Sequence, residues 1–209
     1  MTFAPLRFAA MALALGAALG LGACNKPAGS AAAPASGGLS DDGYTMGNPA
    51  AKVQVIEFGS LTCPHCAHWE EAVWPQFKAK YVDTGKVRYT FKEVLIHGQI
   101  DAAAGLMVRC LPADKYLQTV QAVFRAQPQI FAGDPRGALL RVAQSEGMSE
   151  QQFSTCVSDT KALQAVGARQ DKIDNVYHVN QTPTFFINGK PTDAVELDKL
   201  SAVIDPLLK

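Results

Sequence analysis

Cysteine is scarce in this chain: Cys24, Cys63, Cys66, Cys110 and Cys156 are the only five in 209 residues. There is no second Cys-x-x-Cys and no His-x-x-x-His, so a four-ligand zinc site finds no second half. Charge of one sign is also lacking, with 19 Lys and Arg against 19 Asp and Glu. No Arg-rich run or basic stripe occurs, which excludes an ordinary nucleic-acid surface. The apolar run Met11–Leu21 is too short and too weakly flanked for a stable spanning helix. Between Ile96 and Asn180 no strand pattern is convincing, which excludes an all-β fold.

What is present begins with that apolar run. Residues 1–23 carry one positive charge, Arg7, and no acid, as a secretory signal does. They end in Leu21-Gly22-Ala23-Cys24, which resembles the bacterial lipoprotein box. That resemblance implies acylation of Cys24, with the chain held on the periplasmic side of a bacterial membrane. Asn25 at the next position leans toward the outer membrane, under a rule that varies between bacteria. Residues 24–40 are Ala, Gly, Ser and Pro-rich and read as a flexible tether. The folded part is then 41–209. Losing 1–23 removes one basic residue and leaves 18 against 19 acidic, a net of −1. With Cys24 lipidated, four cysteines remain for an oxidising compartment. They split into a close pair and a distant pair.

The close pair lies in Thr62-Cys63-Pro64-His65-Cys66. Val53–Phe58 before it is β-branched and reads as a buried strand. Ala67–Tyr81 after it has helical spacing, with a kink expected at Pro75. Val87–Val94 alternates as a second strand. A Cys-x-x-Cys at the strand-to-helix junction of a βαβ unit reads as a redox pair. Cys63 would sit at the helix start, where free N–H groups and the dipole favour a thiolate. Pro64 in the first turn costs no hydrogen bond. His65 brings an imidazole that lowers the Cys63 pKa further. A zinc half-site and a purely structural short disulfide are the bland alternatives. Zinc lacks ligands beyond His68, and so short a loop constrains the unfolded chain little.

Five helical segments are expected next, at Asp101–Cys110, Ala113–Ala126, Pro135–Glu146, Glu150–Ser158 and Lys161–Val179. Ser149 and Gln152 form a capping-box pattern. Strand character returns in Gln181–Lys190, with a hairpin turn at Asn188-Gly189, and a helix closes the chain from Val195 to about Leu208.

This order resembles the DsbA family of disulfide oxidoreductases, from about Tyr44 to the C-terminus. The residues that carry it are Glu57-Phe58, Cys63-Pro64-His65-Cys66 and Thr182-Pro183-Thr184-Phe185-Phe186-Ile187-Asn188-Gly189-Lys190. The resemblance implies an α/β, thioredoxin-like fold with an inserted helical subdomain at about 97–179. It implies Cys63 as nucleophile and Cys66 as resolving cysteine. Pro183 would be a cis proline against the thiols, Thr182 would offer its backbone to the substrate, and Glu57 would be a buried acid assisting proton transfer. Alternation puts Glu57 on a face with Val53 and Val55, with Arg88 or Lys92 as its expected partner. Some relatives carry a second disulfide in the insertion, which implies a Cys110–Cys156 bridge; two buried free thiols are the alternative. Also implied are reduced exported proteins as substrates, a quinone-linked membrane reoxidase, a monomer, and no cofactor or metal beyond the redox disulfide. Typical oxidases have Val where Thr182 stands, so an isomerase or reductase remains a rival. A non-catalytic copper- or zinc-binding lipoprotein is the reading from a different class.

Overall fold

The computed structural model describes residues 37–40 and 42–209. Cys24, its lipidation and the signal segment lie outside the described residues. Among those described, the strands are β1 (Gly38–Ser40), β2 (Gly43–Gly47), β3 (Val53–Gly59), β4 (Val87–Glu93), β5 (Thr184–Ile187) and β6 (Lys190–Thr192). They form one sheet in the order β1-β2-β4-β3-β5-β6. Only β3 and β4 are parallel, as the βαβ unit requires.

The crossover between them is α1 (Pro64–Ala72) followed by α2 (Trp74–Phe77) and a π-helical turn at Lys78–Val82. The expected kink at Pro75 is a break: Val73 sits at φ −110°, and Pro75 opens the second helix, where no N–H is needed. The apolar face of this crossover supplies Trp69, Trp74, Phe77 and Tyr81 to the main core. Trp74 meets Tyr89 at 4.5 Å between ring centroids, and Trp69 meets Phe185 at 4.9 Å.

The expected helical insertion follows β4. It holds α3 (Gln99–Cys110), α4 (Tyr116–Ile130), α5 (Pro135–Ser145), α6 (Glu150–Val157) and α7 (Thr160–Lys172), then a π-helical turn to Tyr177. Ser149 and Gln152 make the capping box at the start of α6. Beyond the insertion, Asn188 (φ 48°) and Gly189 (φ 78°) turn β5 into β6, the double positive φ of a type I′ hairpin. The closing helix α8 (Leu197–Ile204) ends in a 3-10 turn at Asp205–Leu208 that contains Pro206.

One element was not expected. The hairpin β1–β2 begins at Gly38, inside the stretch read as tether. Its pairing is made by the backbone, so a Gly-rich segment serves, and Tyr44 and Met46 alternate inward from β2. Tyr44 stacks on Tyr116 of α4 at 4.5 Å.

Candidate active site

Cys63 is the N-cap of α1, in extended conformation, with Pro64 in the first turn. The strand hands over to the helix through a tight turn in which Cys63 N–H donates to Ser60 O at 3.1 Å. Gln127 of α4 reaches in from the insertion. Its Nε2 donates to Leu61 O at 3.0 Å and to Cys63 O at 3.1 Å. Opposite lies the loop before β5, where the Thr182–Pro183 bond is cis. The Cys63 thiol donates to Thr182 O at 3.3 Å.

Both thiols are unbridged. Cys66 is fully buried, and Cys63 is only 4% exposed. The Cys63 thiol is lowered to about 5, first by the hydrogen bond from the Cys66 thiol. Burial opposes this, and a hydrogen bond from the Thr182 side chain and the N–H groups of Cys66 and His65 add to the lowering. The Cys66 thiol is pushed far up, by the same hydrogen bond and by burial. The two sulfurs therefore divide into a ready thiolate and a reluctant one. His65 contributes its backbone N–H to this, while the residue itself is exposed. The helix N-terminus presents such main-chain donors directly to the sulfur.

Removing the Cys66 thiol tests that division. Cys66→Ala should raise the Cys63 pKa by about one to two units, the worth of a hydrogen bond to a charged group. Cys66→Ser, which keeps a donor, should hold it low. Absorbance of the thiolate at 240 nm across pH reads both, and equal titrations of the two variants would contradict the assignment.

Glu57 lies on the buried face of β3, 2% exposed. Its partner is neither Arg88 nor Lys92. Tyr89 Oη donates to Glu57 Oε2 at 2.6 Å. The register pairs Val55 with Tyr89 and Glu57 with Phe91, so the odd-numbered residues of β4 share the Glu57 face. Arg88 and Lys92 are even-numbered and point the other way; Lys92 pairs with Asp42 at 3.7 Å. Burial pushes the Glu57 carboxyl well above its usual range, against the pull of the Tyr89 hydroxyl. The charges of Glu70 and Cys63 push the same way as burial. Gly59 leaves room here: a Cβ on it would lie 2.6 Å from the Phe91 ring and 3.2 Å from Glu57 Oε1.

A second acid on α1, Glu70, is raised to about 7 by burial, although Gln121 Nε2 donates to it at 2.8 Å and Arg125 lies nearby. Sequence reasoning missed Glu70, Tyr89 and Gln127. Only Tyr89 had a signal, its parity on the alternating strand. Cys110 on α3 and Cys156 on α6, both in the insertion, are bridged to each other. Among the described residues, no group of three His, Cys, Asp or Glu side chains is placed to hold a metal ion. Among them, too, no helix is long and apolar enough to cross a membrane.

A parallel βαβ unit with paired thiols at its strand–helix junction, facing a cis X–Pro loop, defines a thioredoxin-fold site for thiol–disulfide chemistry. The family model described as Thioredoxin matches residues 40–206, and the chain belongs to that family. A curated relative in Rickettsia felis that carries the name protein-disulfide oxidoreductase is 28% identical over 173 residues, 82% of this chain. The match spans only 62% of that relative's length. Two solved structures are similar at full fold level. Wolbachia pipientis alpha-DsbA1 superposes with a TM-score of 0.72 and 27% identity, covering 78% of this chain and 89% of that one. A protein-disulfide isomerase from Novosphingobium aromaticivorans gives 0.70 and 26%, covering 82% and 100%.

Proposed function

We propose that the chain is an exported thiol–disulfide oxidoreductase that introduces disulfides into other exported proteins. The observation that carries this is the asymmetry of the thiol pair, with Cys63 lowered to about 5 and Cys66 raised. A dithiol whose nucleophile is a stable thiolate favours its reduced form, so its disulfide is a strong oxidant.

In the oxidised protein, a substrate thiolate attacks Cys63 Sγ. The Cys63–Cys66 bond breaks and Cys66 leaves as a thiolate, which takes a proton from Glu57. The second substrate thiolate then attacks the substrate sulfur of the mixed disulfide. Cys63 leaves as a thiolate, Glu57 regains a proton from solvent, the substrate has lost two electrons, and the enzyme holds them as the Cys63 thiolate and the Cys66 thiol. Cys63 is almost covered and its sulfur lies against the Thr182 carbonyl, so in this reading the substrate chain takes the place of that contact beside Thr182. A membrane protein that passes electrons to quinone is the proposed reoxidant. No cofactor beyond the disulfide is needed. The protein works as a monomer, tethered through Cys24 at the periplasmic side of the membrane, and the Cys110–Cys156 bridge staples the insertion without taking part in turnover.

A second reading, an isomerase or reductase, is favoured by Thr182 and by the name of the Novosphingobium neighbour. The potential of the Cys63–Cys66 pair against glutathione separates the two. Values toward about −120 mV support the oxidase, and values near about −270 mV would make the protein a reductant. Oxidised protein should also refold a reduced multi-disulfide substrate, and Cys63→Ser should abolish this. The metal-binding alternative would instead have stoichiometric copper or zinc retained through purification and no fast thiol.

A further inference from the structure

One buried charge near the thiols takes no part in the exchange step. Asp101 is 2% exposed and stands in the first turn of α3. Its Oδ1 accepts from Ser60 Oγ at 2.8 Å and from Thr62 Oγ1 at 2.9 Å. Its Oδ2 accepts from the backbone N–H groups of Ile96 at 2.9 Å and His97 at 2.7 Å. Four donors on one carboxylate offset the cost of burying it. Two of them precede Cys63 by three residues and by one. The other two belong to the loop between β4 and α3. The carboxylate therefore clamps the loop that carries the nucleophile to the start of the insertion.

Two more contacts join this network. A hydroxyl has a single proton, and a carboxylate oxygen accepts. Ser60 Oγ and Thr62 Oγ1 lie 3.1 Å apart and share one of their protons between each other and Asp101. Thr62 Oγ1 also lies 2.7 Å from His97 Nδ1, which donates or accepts according to its tautomer. His97 meets the Phe131 ring edge-on at 5.3 Å. Phe131 N–H donates to the carbonyl of Gln127, the residue that holds the Leu61 and Cys63 carbonyls. The insertion thus grips the redox loop twice, by its hydroxyls and by its carbonyls.

We infer that Asp101, acting through the Thr62 hydroxyl, is a positioning residue for thiol–disulfide exchange: it sets the Ser60–Cys63 turn that holds the Cys63 sulfur over the start of α1. The inference rests on the reading of Cys63 and Cys66 as an exchange pair. The turn itself is short, closed by Cys63 N–H to Ser60 O and by Thr62 N–H to Ser60 Oγ, each at 3.1 Å. Without the clamp, the Thr62 side chain no longer ties this turn to α3. The sulfur then drifts from the N–H groups of His65 and Cys66 that favour its anion.

Thr62→Val and Thr62→Ser test this, since both leave the Asp101 charge in place. The thiolate of the reduced variants is titrated at 240 nm. The oxidised variants are reduced with glutathione at pH 7. Thr62→Val should raise the Cys63 midpoint by about one unit, a tenfold loss of thiolate below the midpoint, and slow the exchange. Thr62→Ser should match the wild type in both. Asp101→Asn should also slow exchange, although removing a negative charge would by itself favour the thiolate. The Thr62 pair decides even where Asp101→Asn does not fold. A Thr62→Val midpoint and exchange rate equal to the wild type would overturn the inference, as would equal displacement by Val and Ser. Should the wild type fail to exchange with glutathione, the reading of the site falls, while the titration still judges the clamp.

Discussion

Replacing Cys110 and Cys156 together by alanine should lower the melting temperature by roughly 10 °C. The bridge joins residues 46 apart in sequence, one on α3 and one on α6. Closing a loop of that size removes chain entropy from the unfolded state worth about 4 kcal/mol. For a domain of this length, each kcal/mol moves the midpoint by about 2–4 °C. The effect should be confined to stability. Cys63 is held by the turn at Ser60, by Gln127 and by Thr182, and neither bridge cysteine is a partner in those hydrogen bonds. Calorimetry of the double variant, with a parallel titration of Cys63, checks both halves. An unchanged melting temperature would remove the structural role, and a shifted Cys63 pKa would bring the bridge into the redox chemistry.

Glu57→Gln should slow exchange with substrate thiols by about 100-fold, the low end of what a positioned proton donor contributes. The leaving Cys66 thiolate is buried and strongly basic, so it requires a proton at once, and Glu57 is the acid whose charge it feels. The same substitution should reshape stability against pH. The folded protein holds the Glu57 proton to a higher pH than the unfolded chain, in which the group titrates near 4.5. Folding therefore binds protons between those two values. Stability from the protonated carboxyl is present at low pH and is lost as pH rises through the folded value. Glutamine stays neutral throughout, so the variant should gain stability over the wild type with rising pH and show little gain near pH 4. Urea midpoints at pH 4 and pH 8 test this. A constant difference between the proteins would mean that Glu57 is not the buried titrating group.

Several features could be read from the chain alone because they are local. Cys63-Pro64-His65-Cys66 lies where a strand's period of two gives way to a helix's period of 3.6, and the fold puts it there. The Asn188-Gly189 turn, the Ser149–Gln152 box and the run of helices from Gln99 needed only neighbouring residues to specify them. The hairpin β1–β2 escaped because its pairing is between backbones, and a Gly-rich strand leaves little pattern.

The chemistry of the site lay beyond that reach. Thr182 is 119 residues from Cys63, Gln127 is 64, and Asp101 is 39 from Thr62. Tyr89 is 32 from Glu57 and reaches it only through the parallel register. The sequence alone determined that a Cys-x-x-Cys pair starts a helix and that helices interrupt the fold. Which donors surround the sulfur, which hydroxyl meets the buried acid, and how far Cys63 is covered were decided by how separate elements pack. Hydrogen-bond partners at such separations are brought into range by tertiary contacts, and no local periodicity encodes them.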